Sequence, residues 1–338
     1  MTSAHAASTT ELERDDEFWL KDGSVVLVAG NVGFKVYKDL LATHSPIFHD
    51  MFAQSRPDEQ EMYDGCPVVH LSDAPCNLRH FLRALIHTVR PLFYRSDEDT
   101  KISIDELFAV AHLAHKYDVG ELLRQALVCL KSYYTNRLDI WKQGGQAGNV
   151  PFETSDKDPL YAIGVVTLAH LTQTPYMLPL ALYDCCYLGG RVVRGWTRED
   201  GTVEHLSLED LERCMDGSTA LATSALCSSI DLHASVEQAE LCAHSKPARF
   251  GGGVPSTCEA AQAKIKSRLK TNKSSVMGTR ALHSHMATAS LSPIFAKMCS
   301  KCLATLQGRE RATHEAVWAE LPSLFNLSIP DWQTKTSS

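Results

Sequence analysis

Residues 22–52, DGSVVLVAGNVGFKVYKDLLATHSPIFHDMF, constrain the fold more than any other stretch of the chain. Val25, Leu27 and Ala29 alternate with Val26, Val28 and Gly30, so apolar side chains fall on both faces of one extended run. Such a strand is either covered on both sides or completes an interface. Asn31 and Gly33 supply a turn, and Phe34 and Val36 alternate with Lys35 and Tyr37 as a returning strand. Two short helices follow. Ser45 and Pro46 read as an N-cap with proline at the first helical position, opening SPIFHDMF. No polar catalytic group is placed among these elements, and their order fits an interaction fold better than a catalytic one.

A chain of 338 residues is long enough for two domains of ordinary size. Its 44% hydrophobic and 22% charged residues are those of a soluble globular protein. No apolar run approaches the roughly 18 residues needed to span a bilayer, so no membrane partner is expected. The opening MTSAHAASTTELERDDE lacks the basic and apolar regions of a secretory signal, which implies a nuclear or cytoplasmic location. In those compartments the 11 cysteines are expected as reduced thiols or metal ligands. The net charge of −7 is unevenly spread: residues 241–338 carry 13 Lys and Arg against 5 Asp and Glu, leaving 20 against 35 in the first 240. An acidic front and a basic back can attract each other, meet different partners, or simply be solvated faces.

Residues 53–65 read as a loop and 67–71, PVVHL, as a third strand. Leu78, Phe81, Leu82, Leu85 and Val89 recur at helical spacing, and residues 89–101 form a second loop. Ser103 and Glu106 make a capping box for a helix through Lys116, and a further helix runs from about Val119 to about Tyr134. After a Gly-rich linker at 142–158 the strand signals fade. Helices are expected at about 159–171, 174–188, 207–215, 256–270, 290–306 and 309–320, with a break at 245–257.

The run from Asp22 to Phe52 resembles the BTB/POZ domain: Asp22, Val25 to Val28, Phe34, Val36, Leu40, Leu41, Ser45 and Phe48 stand at its signature positions. LAHKYDV, with Lys116 and Tyr117 before a turn, resembles the closing helix pair of that fold. The segments DDEFWLKDGSVVLVA, MYDGCPVVHLSD, YAIGVVTLAHLTQTPYMLPLALYDCC, LSLEDLERCMDG and WAELPSLFNL extend the likeness over nearly the whole chain. They are similar to the large set of BTB-domain proteins of mushroom-forming fungi, which have a helical C-terminal half and a late cysteine pair. The resemblance implies an α+β chain with residues 1–15 disordered, a BTB/POZ domain at 16–135 and an all-α domain at 136–338. It implies homodimerisation through the lead-in segment and first helix, with Phe18, Trp19, Leu20, Asp22, Val26, Tyr37, Leu40, Leu41 and Phe48 as interface candidates. Tyr37 stands where many members carry His before a basic residue, here Lys38, which alters a surface pocket some members use for partners.

The function implied is a non-enzymatic interaction module that recruits partners, with adaptor to a cullin-type ubiquitin ligase scaffold as the commonest specific role. The apolar-x-Glu element common in such adaptors is absent from AQSRPDEQEMYDG, and kelch-type repeats are absent too. The alternative is a nucleic-acid-associated regulator using the basic half, where Lys266, Lys270 and Lys273 can form one stripe. No aromatic stacking residues accompany that stripe, so a solvated face is the favoured reading and nucleic acid is not the expected partner.

Cys299 and Cys302, in a C-x₂-C arrangement, carry the sharpest chemical signal. Such a knuckle presents two thiolates to one zinc ion. The resembling group tends to carry an upstream cysteine pair, which makes Cys242 and Cys258 the candidates for the other two ligands of a structural zinc. Cys227, His283 and His285 are reserves. Two buried thiols on one helix face would give the same spacing, and that alternative stays open. Cys185 and Cys186, adjacent in an apolar helix, point about 100° apart and are expected to be buried rather than to share a metal. His112 and His115 read as a partly exposed helix face. No G-x-S-x-G or phosphate loop is present, so no catalytic residue is assigned.

Overall fold

A computed structural model describes residues 12–54, 60–86, 102–144, 152–153, 159–233, 242, 257–271, 278–284 and 292–332. The chain is mixed α+β and divides into two compact units. The first takes the chain up to Ser132 together with the returning segments Val150–Ser155 and Thr197–Glu204; the second takes the remainder.

The first unit is built on a five-stranded sheet of β1 (Glu13–Trp19), β2 (Val25–Ala29), β3 (Val32–Val36), β4 (Met62–Tyr63) and β5 (Cys66–Leu71), in the order β1-β3-β2-β5-β4. The β2–β3 pair is antiparallel with Leu27 opposite Phe34, and β2–β5 is parallel with Leu27 opposite Val69. All five residues of β2 are buried. Val25, Leu27 and Ala29 join Phe34, Val36, Phe48 and Phe81 in the main core, while Val26 and Val28 pack with Cys66, Val68, Leu12, Trp19 and Tyr63 on the other face. The strand is therefore covered on both sides within its own unit.

Helices α1 (Lys38–His44), α2 (Pro46–Ala53), α3 (Pro75–Ile86), α4 (Ile104–Lys116) and α5 (Gly120–Lys131) all contribute buried residues to the main core. Ser45 caps α2 as its sequence implies: its Oγ accepts from the Phe48 N–H at 3.0 Å and donates to the Tyr117 carbonyl. Tyr117, at the end of α4, stacks on Phe48 with ring centroids 4.3 Å apart, and the α4–α5 turn passes through Asp118 at φ 53°. The Ser103 cap of α4 also stands, with Oγ accepting from the Glu106 N–H.

Three features differ from the expectation. Gly30, at φ 57°, and Asn31 make the β2–β3 turn; Gly33 lies inside β3, close against Leu12 and Trp19. The lead-in is itself a strand, β1, paired in parallel with β3, although ERDDEFW has no strand-like pattern. It is fixed by Asp15, whose buried carboxylate accepts from the Glu17 and Phe18 amides and from Arg79 Nε at 2.7 Å. The loop expected at 53–65 ends in β4, which pairs antiparallel with β5.

In the second unit α6 (Leu138–Gly144), α7 (Ala162–Leu171), α8 (Leu178–Tyr187), α9 (Leu208–His233), α10 (Thr257–Thr271), α11 (Ser292–Phe295) and α12 (Ser300–Leu324) follow one another. Helices α7 and α8 are buried almost all round, as their apolar sequences require. The helix expected at 207–215 runs on to His233. Gly217 allows it: a Cβ there would lie 2.3 Å from the Phe325 ring, so only glycine lets this close packing form inside the helix. The helix expected over 290–306 is broken at 296–299, and α12 runs unbroken through the gap expected before 309. Most of the linker at 142–158, all of the loop at 89–101 and most of the break at 245–257 lie outside the described residues. Among the described residues no helix is long and apolar enough to cross a membrane.

Candidate metal centre

Cys299 sits where α12 begins. Its backbone is extended, at φ −71° and ψ 157°, so it is the N-cap of the helix rather than a residue within it. Its Sγ takes the place of the usual cap oxygen and accepts from the Cys302 N–H at 3.5 Å. Cys302 lies in the first turn and faces the same interior. Cys258 comes from the start of α10, and its Sγ accepts the Cys299 N–H at 3.2 Å. Cys242 completes the group, with its Sγ 4.0 Å from that of Cys299.

The four Sγ atoms all lie within 4.8 Å of one another. A zinc ion held at about 2.3 Å by four thiolates in a tetrahedron requires sulfur separations of about 3.8 Å, so the cluster needs only small adjustments to hold one. Cys258, Cys299 and Cys302 are buried and Cys242 is half-buried. Burial pushes the Cys258 and Cys302 thiols up, and for Cys302 the neighbouring cysteines push in the same direction. A divalent cation reverses that balance, since a metal-bound thiol loses its proton outright. Two backbone N–H groups aimed at sulfur favour the charged form as well. The four cysteines named from the sequence are brought together and can hold a metal such as zinc. Four protein ligands leave no open position, so the chemistry offered is structural rather than catalytic.

Of the reserve ligands, Cys227 and His283 lie elsewhere. Cys227 is exposed, His283 Nδ1 is 3.2 Å from the Tyr183 hydroxyl, and His285 is outside the described residues. Cys185 and Cys186 are buried, as expected. His115 is exposed; His112 is half-buried beside Phe108, with Nε2 3.7 Å from Glu204. The side chains of Lys266 and Lys270, and all of Lys273, fall outside the described residues.

The interface candidates divide sharply. Phe18, Val26, Leu41 and Phe48 are no more than 1% exposed, buried within the first unit's own cores, and have no surface to offer a partner. Their apolar character serves folding instead. Trp19, Leu20, Tyr37 and Leu40 are half-buried and Asp22 is exposed. The Tyr37 hydroxyl donates to Asp22 Oδ1 at 2.8 Å, and Trp19 lies under Arg14 and edge-on to Tyr63.

Sequence reasoning missed the short hairpin of β6 (Trp196–Thr197) and β7 (Val203–Glu204). Its segment Thr197–Glu204 belongs to the first unit, where Asp200 accepts from Asn77 at 2.7 Å and Glu199 meets His80 at 3.0 Å. Two-residue strands leave no periodic signal. No protein-family model matches the chain, and no curated protein matches it.

Proposed function

We propose that the protein is a non-enzymatic interaction protein that self-associates through a first unit of the BTB/POZ type and recruits other proteins. In this reading Cys242, Cys258, Cys299 and Cys302 hold a structural zinc ion in the second unit. The observation that carries the reading is the order of elements in the first unit. A hairpin, a helix pair joined at the Ser45 cap, a parallel strand and a second helix pair closing on Tyr117 occur in that sequence, at the residues that carry the BTB/POZ resemblance. The half-buried apolar residues Trp19, Leu20 and Leu40, beside the Asp22–Tyr37 pair, supply the surface for a second copy.

Light scattering on the full chain, across a range of concentrations, tests self-association. The expected mass is twice the 37.3 kDa of one chain, with Leu40→Asp shifting it to the monomer. A wild-type chain that stays monomeric at every concentration overturns the reading. Recovery of a cullin with the tagged chain, lost when residues 16–135 are deleted, would identify the recruited partner as a ligase scaffold.

A further inference from the structure

The four thiols lie inside a small hydrophobic core of their own. Cys258, Ala261 and Ile265 form the buried stripe of α10 at spacings of three and four, and every other described side chain of that helix except Gln262 is exposed. Ile294 and Phe295 of α11, with Met298, pack against that stripe, and α12 contributes Cys302 and Leu306. Three of the nine buried residues of this cluster are therefore cysteines at its centre. Such a thin apolar core gives little stability alone, and small cores of this kind are ordinarily stapled.

The start of α12 depends on the same sulfurs. A neutral thiol is a weak hydrogen-bond acceptor, whereas a metal-bound thiolate is a charged one. Cys299 must accept the Cys302 N–H and Cys258 must accept the Cys299 N–H for the helix to begin where it does. Negative charge at a helix N-terminus is also favoured by the helix dipole.

Building on the structural-zinc reading above, we propose that metal binding and formation of this satellite core are a single event: zinc fixes α10 against α11 and sets the start of α12. The core organises the ligands and the ligands organise the core. By linkage, weakening either weakens the other.

The test uses the full chain, reduced and freed of metal with a chelator, then titrated with Co²⁺ or Zn²⁺. One equivalent of Co²⁺ should give the thiolate charge-transfer and tetrahedral visible bands. Hydrogen exchange should then slow by about tenfold or more over residues 257–271 and 292–306, with α7 and α8 unchanged. Cys258→Ser should abolish both effects. Because that variant can fail to fold, Ile265→Ala supplies the second arm: it keeps all four thiols but thins the core, and should weaken Co²⁺ affinity by about tenfold. Absence of any cobalt bands overturns the zinc reading and this proposal together. Metal uptake with unchanged exchange, or an Ile265→Ala affinity equal to wild type, overturns this proposal alone and leaves the zinc site standing.

Discussion

The two units treat their buried polar groups differently. In the first, the Asp15 carboxylate lies against Arg79, and the Lys35 ammonium lies 2.9 Å from Asp64. That last contact raises the Lys35 pKa and lowers the Asp64 pKa, so each group holds its charge more firmly. In the second unit Asp210 is likewise paired, with Arg213 and His170, but another buried carboxyl is met differently. Asp184, buried on α8, accepts from the Tyr134 hydroxyl at 3.2 Å, and burial pushes its pKa up to about 7. The thiols of Cys258, Cys299 and Cys302 in the metal centre are likewise buried. In the sheet unit the Lys35–Asp64 pair holds both charges over a wide pH range. The helical unit depends on a proton at Asp184 and, in the reading above, on a metal at its cysteines.

Asp184→Asn should break this contrast most strongly. The unfolded carboxyl ionises near 3.8 and the folded one at about 7, so the folded state holds a proton that the unfolded state has released between those values. Stability of the second unit is full below pH 3.8, falls as pH rises towards 7, and stays reduced above it. The amide keeps an oxygen for Tyr134 and has no charge to bury. At pH 8 the variant should gain about 4 kcal/mol, shrinking to nothing below pH 4. Urea unfolding, followed by pulsed hydrogen exchange of peptides from each unit at one labelling pH, reads the gain and assigns it. An unchanged or lower stability at pH 8 would show that Asp184 stays charged and stabilised in the folded protein.

Asp15→Ala probes the other half. It removes a carboxylate that is 1% exposed, strands Arg79, and frees the amides of Glu17 and Phe18. Breaking such a buried pair from one side costs about 3 kcal/mol, and the loss should fall on β1 and α3. Peptides of α8, which carries Asp184, should show no change. A loss below about 0.5 kcal/mol would mean that β1 is held by its strand pairing alone.

How much of this was legible follows from how local each signal is. The β2–β3 hairpin, the Ser45 and Ser103 caps and the α4 helix are written in spacings of two to four residues, and the sequence expectation met the structure there. β1 was not legible as a strand, because its place depends on an Asp15–Arg79 pair 64 residues apart. The Thr197–Glu204 hairpin was invisible for the same reason: its Asn77–Asp200 contact spans 123 residues. Four of the nine interface candidates departed from expectation in a third way. Apolar residues at motif positions signal burial, but not whether a core or a partner buries them, and Phe18, Val26, Leu41 and Phe48 went to the core. At the metal centre the C-x₂-C spacing was local and readable. Cys242 and Cys258, 57 and 41 residues away from Cys299, have no local spacing that ties them to it; only the family resemblance pointed to them, and the fold brings them there.

His112 sharpens the comparison at lower amplitude, because it gives the first unit a pH response of opposite sign. Phe108, Glu204, Arg198, His115 and Asp200 are the ring and charges that bear on it. Burial, reinforced by the Arg198 and His115 charges and opposed by Asp200, lowers its pKa from 6.5 to about 4. The unfolded chain therefore takes up a proton between pH 6.5 and 4 that the folded unit refuses, and the first unit loses stability as pH falls through that window. At pH 5 the loss relative to pH 7 should be about 2 kcal/mol. His112→Gln, neutral at every pH, should remove this contribution, flattening the acid limb of the first unit while leaving the second unit's response intact. Acidification from pH 7 to 5 should thus loosen the sheet unit while tightening the helical one, and the Gln variant should abolish only the first effect. An acid limb in the variant as steep as in the wild type would assign the sensitivity to other groups of the first unit and leave His112 exposed enough to protonate without penalty.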